Sequence, residues 1–450
     1  MKSLLPIKLL LAASSILTIQ ASAADWPQFR GPQASGVAED TALPVVWDIQ
    51  RGVNVRWQIP IPGLAHASPI IRGPHIYLAT AVNTEAKPKL KIGLYGDIDT
   101  YSEKEKHQWR LLCLEKQSGK ILWDKLCWEA IPRVERHTKA THCNSTPATD
   151  GKRIVALLGS EGLFCFDMNG ETLWHQDLGK LDSGPYDAPD THWGFASSPV
   201  LHEGKAIVQC DTASTQFLAV FDASNGRELW RTARKEVSTW CTPNVATSGG
   251  HSQIIVNGWK QSGGYDLDSA KTLWWLAEGG DAPVASPIIW HDLAILTSAH
   301  GKYRPMRAVR LDATGDITPP EMGATNQAVI WCHPRKGNYL QTPIAVGDLL
   351  WGCSNDGIVT CFDAATGKIH YEERIGGVGQ GFTASPVSAN GKLYFTGELG
   401  DVFVLDATNK FTVVATNKLD GNCLATPAIS DGALFFRTTE KLVAIADSKH

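Results

Sequence analysis

No two of the ten cysteines are neighbours, and none falls in a CxxC, a CxxCH or a zinc-type Cys/His spacing. That excludes a thioredoxin-like redox pair, a c-type haem attachment and a zinc finger. No Cys follows the first 23 residues directly, so a bacterial lipoprotein anchor is not expected. Beyond those residues no apolar stretch is long enough to cross a bilayer. Neither sign of charge dominates: 42 Lys and Arg stand against 46 Asp and Glu, a net charge of -4. Nucleic acid and anionic lipid are therefore poor main partners. Gly376–Phe382 (GGVGQGF) is glycine-rich but lacks the strand–loop–helix setting of a phosphate loop.

The first 23 residues read as an export signal. Lys2 and Lys8 give a basic start, Leu9–Ile19 is mostly apolar, and Ala21-Ser22-Ala23 is a small-residue cleavage site. An uncleaved anchor is the alternative. Residues 24–450 are expected to form one domain, in the periplasm or outside the cell of a Gram-negative-type bacterium. Export permits disulfides. Cys113, Cys165 and Cys361, however, recur at one repeat position and read as small buried hydrophobes between repeats.

What is abundant is repetition. Phe221–Trp230 (FDASNGRELW) reads as a strand, a tight turn and a strand ending in Trp. The Asp side chain accepts from turn amides, and the Gly takes a backbone conformation that other residues avoid. Copies run over Leu114–Trp123, Phe166–Trp174, Tyr265–Trp274 (Ala270 replacing Gly) and Phe362–Tyr371. A second marker, Ser or Thr before Pro, opens an apolar run eight times, from Ser68-Pro69 to Thr426-Pro427. The compact spacings match the roughly 40–50 residues of a four-stranded propeller blade. The expected fold is an all-β, eight-bladed propeller. Asn54–Pro60 (NVRWQIP) looks like an outer strand without its blade, while the C-terminal unit stops after three strands. The N-terminal strand is thus expected to complete the last blade and close the ring, which removes an open sheet edge. Trp123, Trp174, Trp230 and Trp274 are expected between blades, as structure rather than ligand contacts.

Asp25–Pro32 (DWPQFRGP) reads as an extended lead-in, with Trp26 and Phe29 available to pack on the ring. The largest insertion, residues 83–109, is rich in Lys and Glu. It reads as a solvated flap, with a lid over the axial mouth as the alternative. In this strand order, the D-to-A and B-to-C loops share one face around the central channel. Polar and aromatic residues collect there, the mixture a small-ligand site needs. The candidate ligand residues are His142, Asn144, His192, Trp193, Trp240, Trp259 and Lys260. Neutral His can donate or accept, and Trp can stack on a sugar ring or flat cofactor. No metal site is assigned. His66, Tyr303, Asn338, Tyr339, Gln341, Gln380 and Phe382 are further expected at this mouth.

The Asp-x-x-x-Gly-x-x-x-Trp repeat resembles the tryptophan-docking motif of quinoprotein dehydrogenase propellers. Trp26–Pro32 (WPQFRGP), Gly381–Val387 (GFTASPV) and Cys423–Gly432 (CLATPAISDG) resemble the exported pyrroloquinoline-quinone-like (PQQ-like) repeat proteins of planctomycetes and verrucomicrobia. The resemblance implies an eight-bladed propeller over residues 25–447. The dehydrogenases usually bring an adjacent-cysteine ring disulfide, a Glu/Asn/Asp calcium set and a catalytic Asp. The first is missing here, and the others are not carried onto particular residues. A similar fold serves as a scaffold in the lipoprotein of the outer-membrane β-barrel assembly machinery. The expected function is therefore a non-catalytic binding or scaffold protein, with a protein or carbohydrate-like partner and no certain cofactor. The alternative is a PQQ- and calcium-dependent or metal-dependent oxidoreductase, or another enzyme, acting on a sugar-like substrate.

Overall fold

A computed structural model describes residues 25–39, 41–94, 98–188, 190–248 and 250–447. The export signal lies outside them. Eight sheets, each with four antiparallel strands and two of them with a fifth, parallel strand, form an eight-bladed propeller, and two 3-10 turns are the helical elements among the described residues. Blades one to seven span 70–130, 148–176, 200–233, 244–277, 288–333, 344–374 and 387–418. Blade three shows the unit: strand A Val200–His202, B Lys205–Asp211, C Gln216–Asp222 and D Glu228–Ala233. Strands B and C alternate between the two neighbouring interfaces and are buried except at their ends, while strand D is half exposed.

Blade eight is built from both chain ends. Strands A to C come from Ala428–Ser430, Ala433–Arg437 and Lys441–Ala446, and Val55–Pro60 is its strand D. Trp57 lies opposite Ala444 and Ile59 opposite Leu442. The expected closure by the N-terminal strand is what the chain does.

The turn motif docks each blade on the next. The Trp174 ring of blade two lies over Gly226 of blade three, where an added Cβ would stand 2.7 Å from the indole. Its indole N–H donates to Ala223 O at 3.0 Å. The same bond runs from Trp57 to Lys116 O, Trp230 to Leu267 O and Trp331 to Ala364 O. Trp174 and Trp274 are buried, whereas Trp123 and Trp230 are half-buried at their interfaces. All ten cysteines are free thiols. Cys113, Cys165 and Cys361 sit in the hydrophobic layers between blades, as expected.

The Ser/Thr-Pro marker has a structural cause. The first seven of these eight Ser or Thr residues each donate the backbone N–H to the hydroxyl of the counterpart in the next blade, at 2.9 to 3.1 Å. Seven such bonds form a belt around the axis, from Ser68 to Thr426. The following Pro carries no N–H and holds the preceding residue extended. The belt is open between blades eight and one, where the buried Ser68 hydroxyl has no partner. Arg437 of blade eight spans that seam, donating to Ala67 O, Ala79 O and Thr80 Oγ1 of blade one.

Candidate functional site

The channel is not an open pore. The lead-in does more than pack on the ring: it crosses beneath the channel and floors it. Trp26 pairs with Ile71 of blade one, and Pro27 O accepts from Thr149 N of blade two. Arg30 is fully buried. It donates to Thr342 O and Pro343 O of blade six, to Pro386 O of blade seven, and to Ala34 O and Ser35 O of its own segment. Val37 and Ala38 then run parallel to Ser388 and Ala389 of blade seven. A polar lead-in satisfies its buried charge-bearing group entirely on backbone carbonyls, the accounting that buried donors require.

The insertion combines both expectations: residues 84–89 are exposed to solvent, while the stretch around Gly93, Leu94 and Ile98 reaches over the mouth as a lid. Strand B of blade one runs to Asn83 and strand C starts at His107. Between them, Thr100–Tyr101 pairs with Arg136–His137. Gly93 N donates to Glu398 of blade seven at 2.7 Å, across the mouth. Lys139 donates to Gly93 O and to Glu398 at 2.9 Å, and Glu398 is buried. Leu94 and Ile98 consequently line the channel from above.

Floor, belt and lid bound a half-open axial cup of about 720 Å³. Phe29 faces it from below, and all eight belt residues form its wall. Around its upper wall stand Trp193 and Trp240, tilted by 31° with centroids 5.8 Å apart. Their indole N–H groups donate to Ile98 O and Gly194 O. His66 also lines the cup. Burial pushes its imidazole down to about 4, and its Nε2 lies 2.8 Å from Lys139 O. It is a neutral, engaged imidazole at neutral pH.

The structure divides the sequence-predicted residues. Asn144, Trp193 and Trp240 share the cup. Asn144 is engaged on both sides of its amide, by Thr141 and by Phe195 O, so it shapes the wall. Trp259 and Lys260 line a second, outer pocket above blades four and five. His192 lines neither volume. His142 is almost wholly buried beneath the lid, with Nε2 2.9 Å from Glu103. Asn338, Gln341, Gln380 and Phe382, also expected at the mouth, are buried in blade contacts. Gln341, for example, donates to Phe382 O.

Glu103, His107 and His142 bring three ligand-type atoms within 4.8 Å of one another. Arg136 already grips both oxygens of Glu103, at 2.8 and 3.1 Å, and its buried positive charge opposes a divalent ion there. Burial alone would raise the Glu103 carboxyl. The hydrogen bonds from His142 and Arg136 outweigh it and hold the group down at about 2. Burial in turn lowers the His142 imidazole. The cluster ties the C-terminal end of the lid to the loop before blade two.

Sequence reasoning missed the belt as a wall, the floor, and the Lys139–Glu398 tie. The Ser/Thr-Pro marker was the available signal for the first.

The family model described as outer membrane protein assembly factor BamB matches residues 107–373 and 356–450. The chain belongs to this family. No curated protein matches the chain. Among solved structures, BamB from Moraxella catarrhalis is similar at 12% identity and a TM-score of 0.54, covering 81% of this chain and 98% of that one. A europium-containing methanol dehydrogenase is similar at 11% identity and a TM-score of 0.62, covering 92% and 89%. A quinohemoprotein alcohol dehydrogenase from Comamonas testosteroni reaches 10% identity and a TM-score of 0.61, covering 95% and 81%. At such identities these likenesses concern the fold, and function must be argued from the site.

Proposed function

We propose that this BamB-family propeller is an exported, non-catalytic binding protein whose axial cup takes a neutral, sugar-like ligand. The observation that carries this reading is the state of the cup's ionisable groups. Lys139 is engaged with Glu398, His66 with Lys139 O, and His300 with Asp281. Asp187 and Arg304, of opposite charge, also line the cup and are solvent-exposed; hydroxyls, backbone and two Trp faces make up most of the remaining surface, which suits holding a neutral ligand better than moving protons. A cup of about 720 Å³ falls within the roughly 300–1,000 Å³ of small-molecule sites. The export, a periplasmic or extracellular location, and the planctomycete or verrucomicrobial type are parts of the same proposal.

The test is a binding titration of the mature protein against a panel of monosaccharides, followed by intrinsic Trp fluorescence. Trp193→Ala should weaken binding at least about tenfold, about 1.4 kcal/mol. His192→Ala, outside the cup, should leave it unchanged. Equal affinity in parent and Trp193→Ala would remove the cup from consideration. The export signal is checked by the N-terminal mass of protein recovered from the periplasm or medium.

The second reading, a PQQ- and calcium-dependent oxidoreductase, draws on the two dehydrogenases among the structural neighbours. The cup fits that pair poorly. A flat tricarboxylate quinone and a calcium ion need cations and carboxylates to spare. Here Lys139 and Glu398 hold each other, with Thr383 and Gly93 N also bonded to Glu398, which leaves Arg304 as one cation for three carboxylates and Asp187 as one carboxylate for the metal. Stoichiometric uptake of PQQ with calcium, seen by absorbance and mass, would favour this second reading over the first.

A further inference from the structure

The axial cup is not isolated. An outer pocket of about 520 Å³ lies beside it, above blades four and five. His300 and Gly301 line both volumes. A narrow space of about 50 Å³ touches Trp193 and Trp240 of the cup, Tyr186 of the outer pocket, and Asp281, His300 and Tyr339 between them. The two larger volumes each fall within the size of a single-ligand site, and they share a wall. One compact ligand leaves such a pair half empty. A chain of units fills it.

The outer pocket has its own chemistry. Tyr186 and Trp259 stack with centroids 4.3 Å apart and 24° between planes, and both line the pocket. Tyr186 is 50% exposed, so the platform is open to a ligand. The charges cancel: Lys260 and Lys302 stand against Glu278 and Asp281, and Asp281 is bonded to His300 at 3.0 Å. A polyanion or polycation has no preference for this lining. A flat apolar face with ringed hydroxyls does, because the aromatic platform takes the face and the fixed charges take the hydroxyls. An extended peptide would seek an open strand edge to pair with. Trp259, Lys260, Glu278, Asp281 and Lys302 all lie outside the named strands, in loops.

We propose that the ligand is a linear neutral saccharide of two or more rings, one ring in the axial cup and the next on the Trp259–Tyr186 platform. This rests on the sugar-like reading of the cup. The junction at His300 and Asp281 is where the chain passes from one volume to the other.

The experiment is calorimetric titration of the mature protein with glucose, cellobiose and cellotetraose, and with the matching mono-, di- and tetrasaccharides of mannose and N-acetylglucosamine. In at least one series the disaccharide binds about tenfold more tightly than its monomer, and Trp259→Ala collapses that ratio towards one. Lys302→Ala, a smaller surface change, gives the same direction if Trp259→Ala misfolds. A monomer that binds the parent as tightly as its oligomers overturns the extension and leaves the cup. A gain with length that survives both variants also overturns it. Failure of every saccharide, at any length, overturns the cup reading and the extension together. Binding of an aromatic hexapeptide, run as a parallel arm, with no response to saccharides overturns the ligand class.

Discussion

Gly226→Ala tests how the ring is held together. Gly226 has φ +75, a conformation that costs a residue with a side chain roughly 1–2 kcal/mol. Its new Cβ would also stand 2.7 Å from Trp174 Cδ2 and 2.8 Å from Cε3. The indole has little room to retreat, since it is buried and bonded to Ala223 O. Overpacking of this kind costs about 1–3 kcal/mol. The sum is about 2–5 kcal/mol. Gly204→Ala supplies the control. Its φ is +73, with nothing within 4 Å of the added carbon, so it carries the backbone cost alone. Urea titrations followed by Trp fluorescence and circular dichroism compare the two with the parent. Gly226→Ala should lower the midpoint clearly more than Gly204→Ala. Equal midpoints for the two variants would refute the idea that Trp174 locks blades two and three.

Ala270 occupies the corresponding turn position of blade four with φ +63, so Ala270→Gly should stabilise by about 1 kcal/mol in the same titration. Arg30→Ala leaves several buried carbonyls of the floor unpaired; it should cost at least about 3 kcal/mol and open the lead-in to limited proteolysis. Burial raises the Glu161 carboxyl to about 7, above its ordinary value, so the folded state holds that proton more tightly than the unfolded chain. The parent therefore loses stability as pH rises from about 4.5 through 7, and Glu161→Gln should be more stable than the parent at pH 8, by up to about 3 kcal/mol, with no advantage at pH 4. Thermal melts of both proteins across that range check it.

The repeat was legible because one local pattern served eight times. Asp222 and Gly226 belong to one turn, and the Ser/Thr-Pro step belongs to one strand, so each prints itself on adjacent residues. The missing strand at one end and the spare one around Trp57 gave the closure by counting. What lies across the axis did not print in this way. Arg30 is a lone charge in a polar lead-in until Thr342, Pro343 and Pro386 surround it from two other blades. The Lys- and Glu-rich insertion suggests a solvated flap by composition. Its Glu103 meets Arg136 once blade one has folded, and its Gly93 meets Glu398 of blade seven only when the two ends of the ring come together. The same holds for the ligand candidates. Trp193 and Trp240 come from successive loops on one rim and meet in the cup. His142 and His192 belong to loops of the same face, but one is drawn under the lid and the other stays outside both volumes.

The central claim is that the axial cup binds a sugar-like ligand and does no redox chemistry. Calorimetry on the mature protein tests it most directly, with the saccharide panel in one arm and PQQ with calcium in the other. The account predicts saturable saccharide binding that falls at least about tenfold in both Trp193→Ala and Trp240→Ala, and no stoichiometric quinone uptake. One quinone bound per chain, with reduction of an electron-acceptor dye on adding an alcohol or sugar, would contradict it.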